Sequence, residues 1–81
     1  MKYTILETQL GKAAYRVHKA DCRDINHERT KLRVRHQWNF IASDVKEGLI
    51  IESTDMPEVM DGEMTAEEYA RDSFDLAPCV N

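Results

Sequence analysis

From Lys31 to Ile41 the chain reads KLRVRHQWNFI. Leu32, Val34, His36, Trp38 and Phe40 fall on one parity; Lys31, Arg33, Arg35, Gln37 and Asn39 fall on the other. Period-two alternation sustained this long marks a half-buried β-strand, because successive side chains leave a strand on opposite faces. A helix would scatter the same apolar residues around its circumference. The stretch therefore predicts a strand over 31–41 that buries Trp38 and Phe40 and exposes Arg33 and Arg35.

The flanking segments supply partners for it. Tyr3–Thr8 is rich in β-branched and aromatic residues and reads as a strand. Leu10-Gly11-Lys12 is a turn candidate, and Ala13–His18 follows as a second strand. Its alternation puts Tyr15 and Val17 on one face and Arg16 and His18 on the other. Asp21 is placed to cap a short helix or turn over Cys22–Glu28. From Ser43 the period changes. Asp44 with Glu47 opens a helix over about 44–60, with Val45, Leu49, Met56, Val59 and Met60 on one stripe. Gly48 and Pro57 weaken that helix, and Pro57 is placed to kink it or to begin a second one. Asp61-Gly62 ends it. Thr65 with Glu68 is a capping box that opens a helix over Ala66–Arg71. Ser73–Ala77 reads as a last strand, stopped by Pro78.

This order predicts an α+β fold: a small antiparallel sheet of three to four strands with two or three helices packed on one face. At 81 residues the chain makes one domain, 1–81, with a small core. No apolar run exceeds three residues, as in Leu49-Ile50-Ile51, far below the roughly 20 residues of a membrane span. The N-terminus MKYTILETQL has no apolar segment of the secretory type, so a cytoplasmic location is expected.

Most of the chemistry-bearing side chains lie between Ala14 and His36, where all three histidines and Cys22 are found. His18 and Cys22 have a plausible ligand spacing, and Cys79 or His36 can join them only through the fold. Zinc sites are usually announced by closely spaced ligand pairs such as CxxC. None is present, so free thiols and no cofactor are the first expectation. A metal site on His18, Cys22 and Cys79 is the alternative, with a Cys22–Cys79 disulfide as another. In a reducing cytosol the disulfide is disfavoured. Nucleophilic catalysis at Cys22 or Cys79 needs a base and an orienting group, and sequence proximity of His18 and Asp24 does not supply that geometry. With no GxSxG, phosphate-binding glycine loop or HExxH, an enzyme is not expected.

Charge divides the chain. Residues 1–43 carry nine Lys/Arg and four Asp/Glu, against two and eleven in 44–81. A stripe of Lys31, Arg33 and Arg35 on one strand face would suit nucleic-acid phosphates. The overall charge of −4 and the placement of Trp38 and Phe40 on the opposite face rank that reading second. The acidic half favours a basic protein partner, docked on a helical face through Glu58, Glu63, Glu67 and Glu68. Met56, Met60 and Met64, four residues apart, read as core before they read as an adaptable partner surface.

VHKADCRD, a mid-chain tryptophan, MTAEEY and APCV together resemble a group of small proteins of actinobacteria and their bacteriophages. The likeness covers most of the chain through short motifs. It implies no activity. It implies that His18, Cys22, Trp38 and Cys79 belong to one structural or binding set. It also implies a phage or mobile-element accessory protein acting in the host bacterial cytoplasm, and the lack of catalytic motifs makes a non-enzymatic one the expectation.

Overall fold

The computed structural model describes residues 1–80. The elements run β1 (Lys2–Thr8), β2 (Tyr15–Lys19), α1 (Ile25–Lys31), β3 (Val34–Ile41), α2 (Val45–Ser53), α3 (Pro57–Met60), α4 (Ala66–Ser73) and β4 (Phe74–Leu76). The four strands form one sheet in the order β3-β1-β2-β4, so the fold is α+β as its periodicities predict. β1 is central and antiparallel to both neighbours. Ile5 stands opposite Val17 on β2 and Trp38 on β3, and Tyr3 stands opposite Phe40.

Alternation gives the sheet two different faces. Tyr3, Ile5, Tyr15, Val17, Phe40 and Phe74 point to one side, where Leu49 of α2 and Tyr69 and Ala70 of α4 complete the core. Tyr3 stacks on Phe40 with centroids 5.2 Å apart, and Tyr15 on Phe74 at 4.8 Å. Fully burying an aliphatic side chain such as Ile5 or Val17 stabilises the fold by roughly 1.5–3 kcal/mol. α2 reaches the sheet closely because residue 48 is glycine: a Cβ there would lie 2.6 Å from the Phe40 ring. The glycine that weakens α2 as a helix is the one that lets it pack.

The reverse face carries Thr4, Leu6, Arg16 and His18, and α1 lies across it. Ile25 is buried there, and Glu28 reaches both Arg16 and His18. Helices α2, α3 and α4 thus occupy the expected face, and α1 adds a layer on the other. β4 also departs from the antiparallel expectation. It pairs parallel with β2, Tyr15 opposite Phe74 and Val17 opposite Leu76. α2, α3 and α4 together carry the chain from β3 at one edge of the sheet to β4 at the other, the crossover that a parallel connection needs.

Several boundaries also differ. The helix expected over 44–60 breaks at Thr54–Met56, and Pro57 starts α3 from its first position, where its missing N–H costs nothing. Asp44 caps α2 by accepting from the Lys46 N–H. The capping box of Thr65 and Glu68 forms as expected. α1 starts after Asp24, not after Asp21. It runs on to Lys31, so β3 begins only at Val34, and Arg33 sits between them in a left-handed conformation, φ 52°.

Candidate metal centre

The turn after β2 folds back at once: the Cys22 N–H donates to the Lys19 carbonyl at 3.0 Å. That reversal brings Cys22 under the end of its own strand, beside His18. At the other end of the chain, Ala77 N–H donates to Val17 O at 2.9 Å and extends the parallel pairing past β4. The Val80 N–H then closes a turn on the Ala77 carbonyl. Cys79 lies in this turn, with its Sγ 3.4 Å from the Lys19 amide, which donates to it.

The result is a convergence of three donors. One ligand atom each from His18, Cys22 and Cys79 lies within 4.8 Å of the other two. His18 Nδ1 is 3.6 Å from Cys79 Sγ. Tetrahedral zinc, with Zn–N of about 2.0–2.1 Å and Zn–S of about 2.3 Å, separates its nitrogen and sulfur ligands by roughly 3.6 Å. Both cysteines are free thiols and half-buried, while His18 is 1% exposed. Burial pushes the Cys79 thiol up. The Lys19 amide offsets part of this, and neighbouring Cys22 adds to it.

A second set of side chains holds the histidine. His18 Nε2 is 2.5 Å from Glu28 Oε1. Arg16 donates to the same carboxylate from Nε at 3.0 Å and Nη2 at 3.4 Å, and to Asp75 from Nη1 at 2.6 Å. Burial alone would raise the Glu28 carboxyl, but the hydrogen bonds from Arg16 and His18 outweigh it and hold it below its ordinary value. A carboxylate accepts from the ring nitrogen it faces, so Nε2 is placed to be the N–H, and in the neutral ring that leaves a lone pair on Nδ1, on the side of the thiols. The same arrangement, a carboxylate behind the distal ring nitrogen, orients histidine ligands in metal sites and raises their basicity.

Three of the four residues grouped by the family resemblance meet here. The fourth, Trp38, lies on the other face, where its Nε1 donates to Glu52 at 3.0 Å. Spacing to the cysteines gives no hint of Glu28, Arg16 or Asp75. The available signal for Glu28 is its place on the same helical stripe as Ile25 and Leu32, a carboxylate on an inward face.

The other candidate sets fare differently. Lys31, Arg33 and Arg35 do not share a strand face: Lys31 ends α1, Arg33 is in the left-handed turn and Arg35 alone belongs to β3. Helix formation through Lys31 removes the alternation on which that stripe depended. Of the acidic set, Glu63 and Glu67 are exposed. Glu68 is exposed but engaged with Thr65 in the capping box. Glu58 is half-buried, and its Oε2 is enclosed without a hydrogen-bond partner. Met56 and Met64 pack against the core, whereas Met60 is exposed. Among the described residues no helix is long and apolar enough to cross a membrane.

No family model, no curated protein and no solved structure matches the chain.

Proposed function

We propose that this protein is a small metal-binding module that holds a zinc-class ion through His18 Nδ1, Cys22 Sγ and Cys79 Sγ. The carrying observation is the convergence of those three donors, with Glu28 fixing the histidine tautomer that can ligate. Nitrogen and thiolate donors suit zinc, and oxygen-preferring cations are disfavoured. Two thiolates balance the ion's charge, and three protein ligands leave one tetrahedral position for water or for a donor from another molecule.

The ion's role follows from what it ties together. β4 is a three-residue edge strand, and Cys79 lies in the turn beyond it. A domain of this size has little core to spare, and bound metal adds directly to folding free energy. The ion staples the C-terminal turn to the β2 turn, and so secures the parallel edge of the sheet. Thiolate ligation requires reduced cysteines, in keeping with a cytoplasmic setting.

The test is metal content and stoichiometry. Native mass spectrometry of protein purified without chelator should find one zinc per chain. Cobalt substitution should give thiolate-to-metal charge-transfer absorption that Cys79→Ser weakens. The rival is a metal-free Cys79 S–H···N hydrogen bond to His18, which predicts neither result.

A second reading keeps a basic protein partner on the helical layer. It is favoured by exposed Ile51 and Met60 on helices that neighbour exposed Asp61, Glu63 and Glu67. An apolar contact rimmed by one sign of charge suits association with a basic surface. Reversing Glu63 and Glu67 to lysine should leave the fold intact and abolish co-purification of a basic protein. Unchanged capture would sink this reading.

A further inference from the structure

We infer that Cys22 and Cys79 form a redox-active dithiol that low-molecular-weight disulfides oxidise to an intramolecular disulfide, discharging the metal ion. This rests on the metal-binding reading for the discharge, but the dithiol itself stands on separate geometry.

The two sulfurs lie within 4.8 Å of each other and are not bonded. A disulfide needs them about 2.05 Å apart, so the remaining movement is small. Both cysteines belong to turns, not to strands or helices. Cys22 follows the turn that ends β2, and Cys79 lies beyond the last ladder bond, Ala77 to Val17. Either turn can shift without breaking the sheet.

Accessibility divides the ligand set. Cys22 and Cys79 are half-buried, so neither residue is sealed from solvent as His18 is. His18 is enclosed between β2 and α1 and held by Glu28, so it cannot follow the sulfurs or compensate for their loss.

The reaction balances without a further reagent. One cysteine thiolate attacks a sulfur of the small disulfide RSSR. A bond forms to that sulfur, the S–S bond breaks and one RS− leaves. The second cysteine sulfur attacks the first, the new disulfide forms and a second RS− leaves. The two protein sulfurs lose two electrons and the small disulfide gains them. From the metal-loaded state the products are the protein disulfide, two RS− and the free divalent ion. From the metal-free dithiol the two thiol protons leave with the RS− groups as two RSH. The protein disulfide removes two of the three donors, and the histidine alone does not retain the ion. The same two turns stay tied together, by a covalent bond in place of a metal.

The test uses the full chain in two arms, zinc-loaded and metal-free, each treated with oxidised glutathione. Released zinc is read with a chromogenic chelator. The linkage is read by non-reducing peptide mapping and by loss of the mass of two hydrogens. The expected result is a Cys22–Cys79 linkage in both arms, with one zinc released per disulfide and re-uptake after dithiothreitol. In Cys22→Ser a glutathione adduct at Cys79 should persist, because no second thiol resolves it. Persistent glutathione adducts or intermolecular dimers in the metal-free wild-type arm, without the 22–79 linkage, overturn the dithiol. Full linkage with zinc retained overturns the discharge. A linkage in protein that never takes up zinc supports the dithiol and overturns both the discharge and the metal-binding reading.

Discussion

Glu28 Oε1 lies 2.5 Å from Nε2 of His18, and the other ring nitrogen faces Cys79 Sγ at 3.6 Å. One carboxylate on α1 therefore decides which nitrogen of a β2 histidine is presented to the thiols. Glu28→Gln keeps the size of the side chain and removes the charge. Zinc affinity, measured by competition with a chromogenic chelator, should fall roughly 10- to 100-fold, the usual loss when a ligand's orienting partner is removed. Circular dichroism should show the secondary structure retained. Unchanged affinity would remove Glu28 from the site.

Tyr15 is buried against Phe74 and accepts a hydrogen bond from Tyr69 at 3.3 Å. Burial pushes its phenol well above its ordinary value, and the nearby Glu7 and Glu58 charges add to this. A raised value in the folded state means the stability is fully present below the ordinary tyrosine range, about pH 10, and is lost as pH rises beyond it. Urea denaturation between pH 8.5 and 11 should show wild-type stability falling above about pH 10, by up to roughly 1.4 kcal/mol per pH unit from this group. Tyr15→Phe should lack that component. Parallel pH profiles for the two proteins would contradict the burial of a neutral phenol there.

Gly48 permits the closest approach of α2 to the sheet. Alanine would gain up to about 1 kcal/mol in helix propensity. Its Cβ would also lie 2.6 Å from Phe40 Cε2 and 2.7 Å from Ala42 Cβ. Overpacking of this kind costs about 1–3 kcal/mol, so Gly48→Ala should be net destabilising in chemical denaturation. A more stable variant would show that α2 is seated farther from Phe40.

Arg33 holds φ 52° just after α1, a conformation that L-residues adopt at a cost and glycine without one. The side chain is exposed. Arg33→Gly should stabilise the protein by about 0.5 kcal/mol, the relief of strain being partly offset by the greater freedom of glycine in the unfolded chain. A loss of stability in chemical denaturation would mean that the guanidinium makes a compensating contact.

Local sequence determined the elements and their inward faces. The alternation of Val34, Trp38 and Phe40 is a property of consecutive residues, and β3 buries Phe40 as it requires, although Trp38 is only half-buried and His36, on the same parity, is exposed. The Thr65–Glu68 capping box and the Gly62 stop were legible for the same reason: their partners lie within a few positions of each other. The alternation ran three residues too far at its start. Lys31 fits either a strand or a helix, and the docking of the Ile25–Glu28–Leu32 stripe on the sheet drew it into α1. Tertiary structure alone decided the rest. Parallel pairing of β4 with β2 joins residues about sixty positions apart, and no local period encodes that partner. The His18–Cys22–Cys79 cluster depends on that pairing, since it carries Cys79 to His18 across 61 positions. The sequence could nominate His18, Cys22 and Cys79 as donors; only the fold could set their separation, because ligand distance is fixed by strand register and turn geometry, and not by ligand identity.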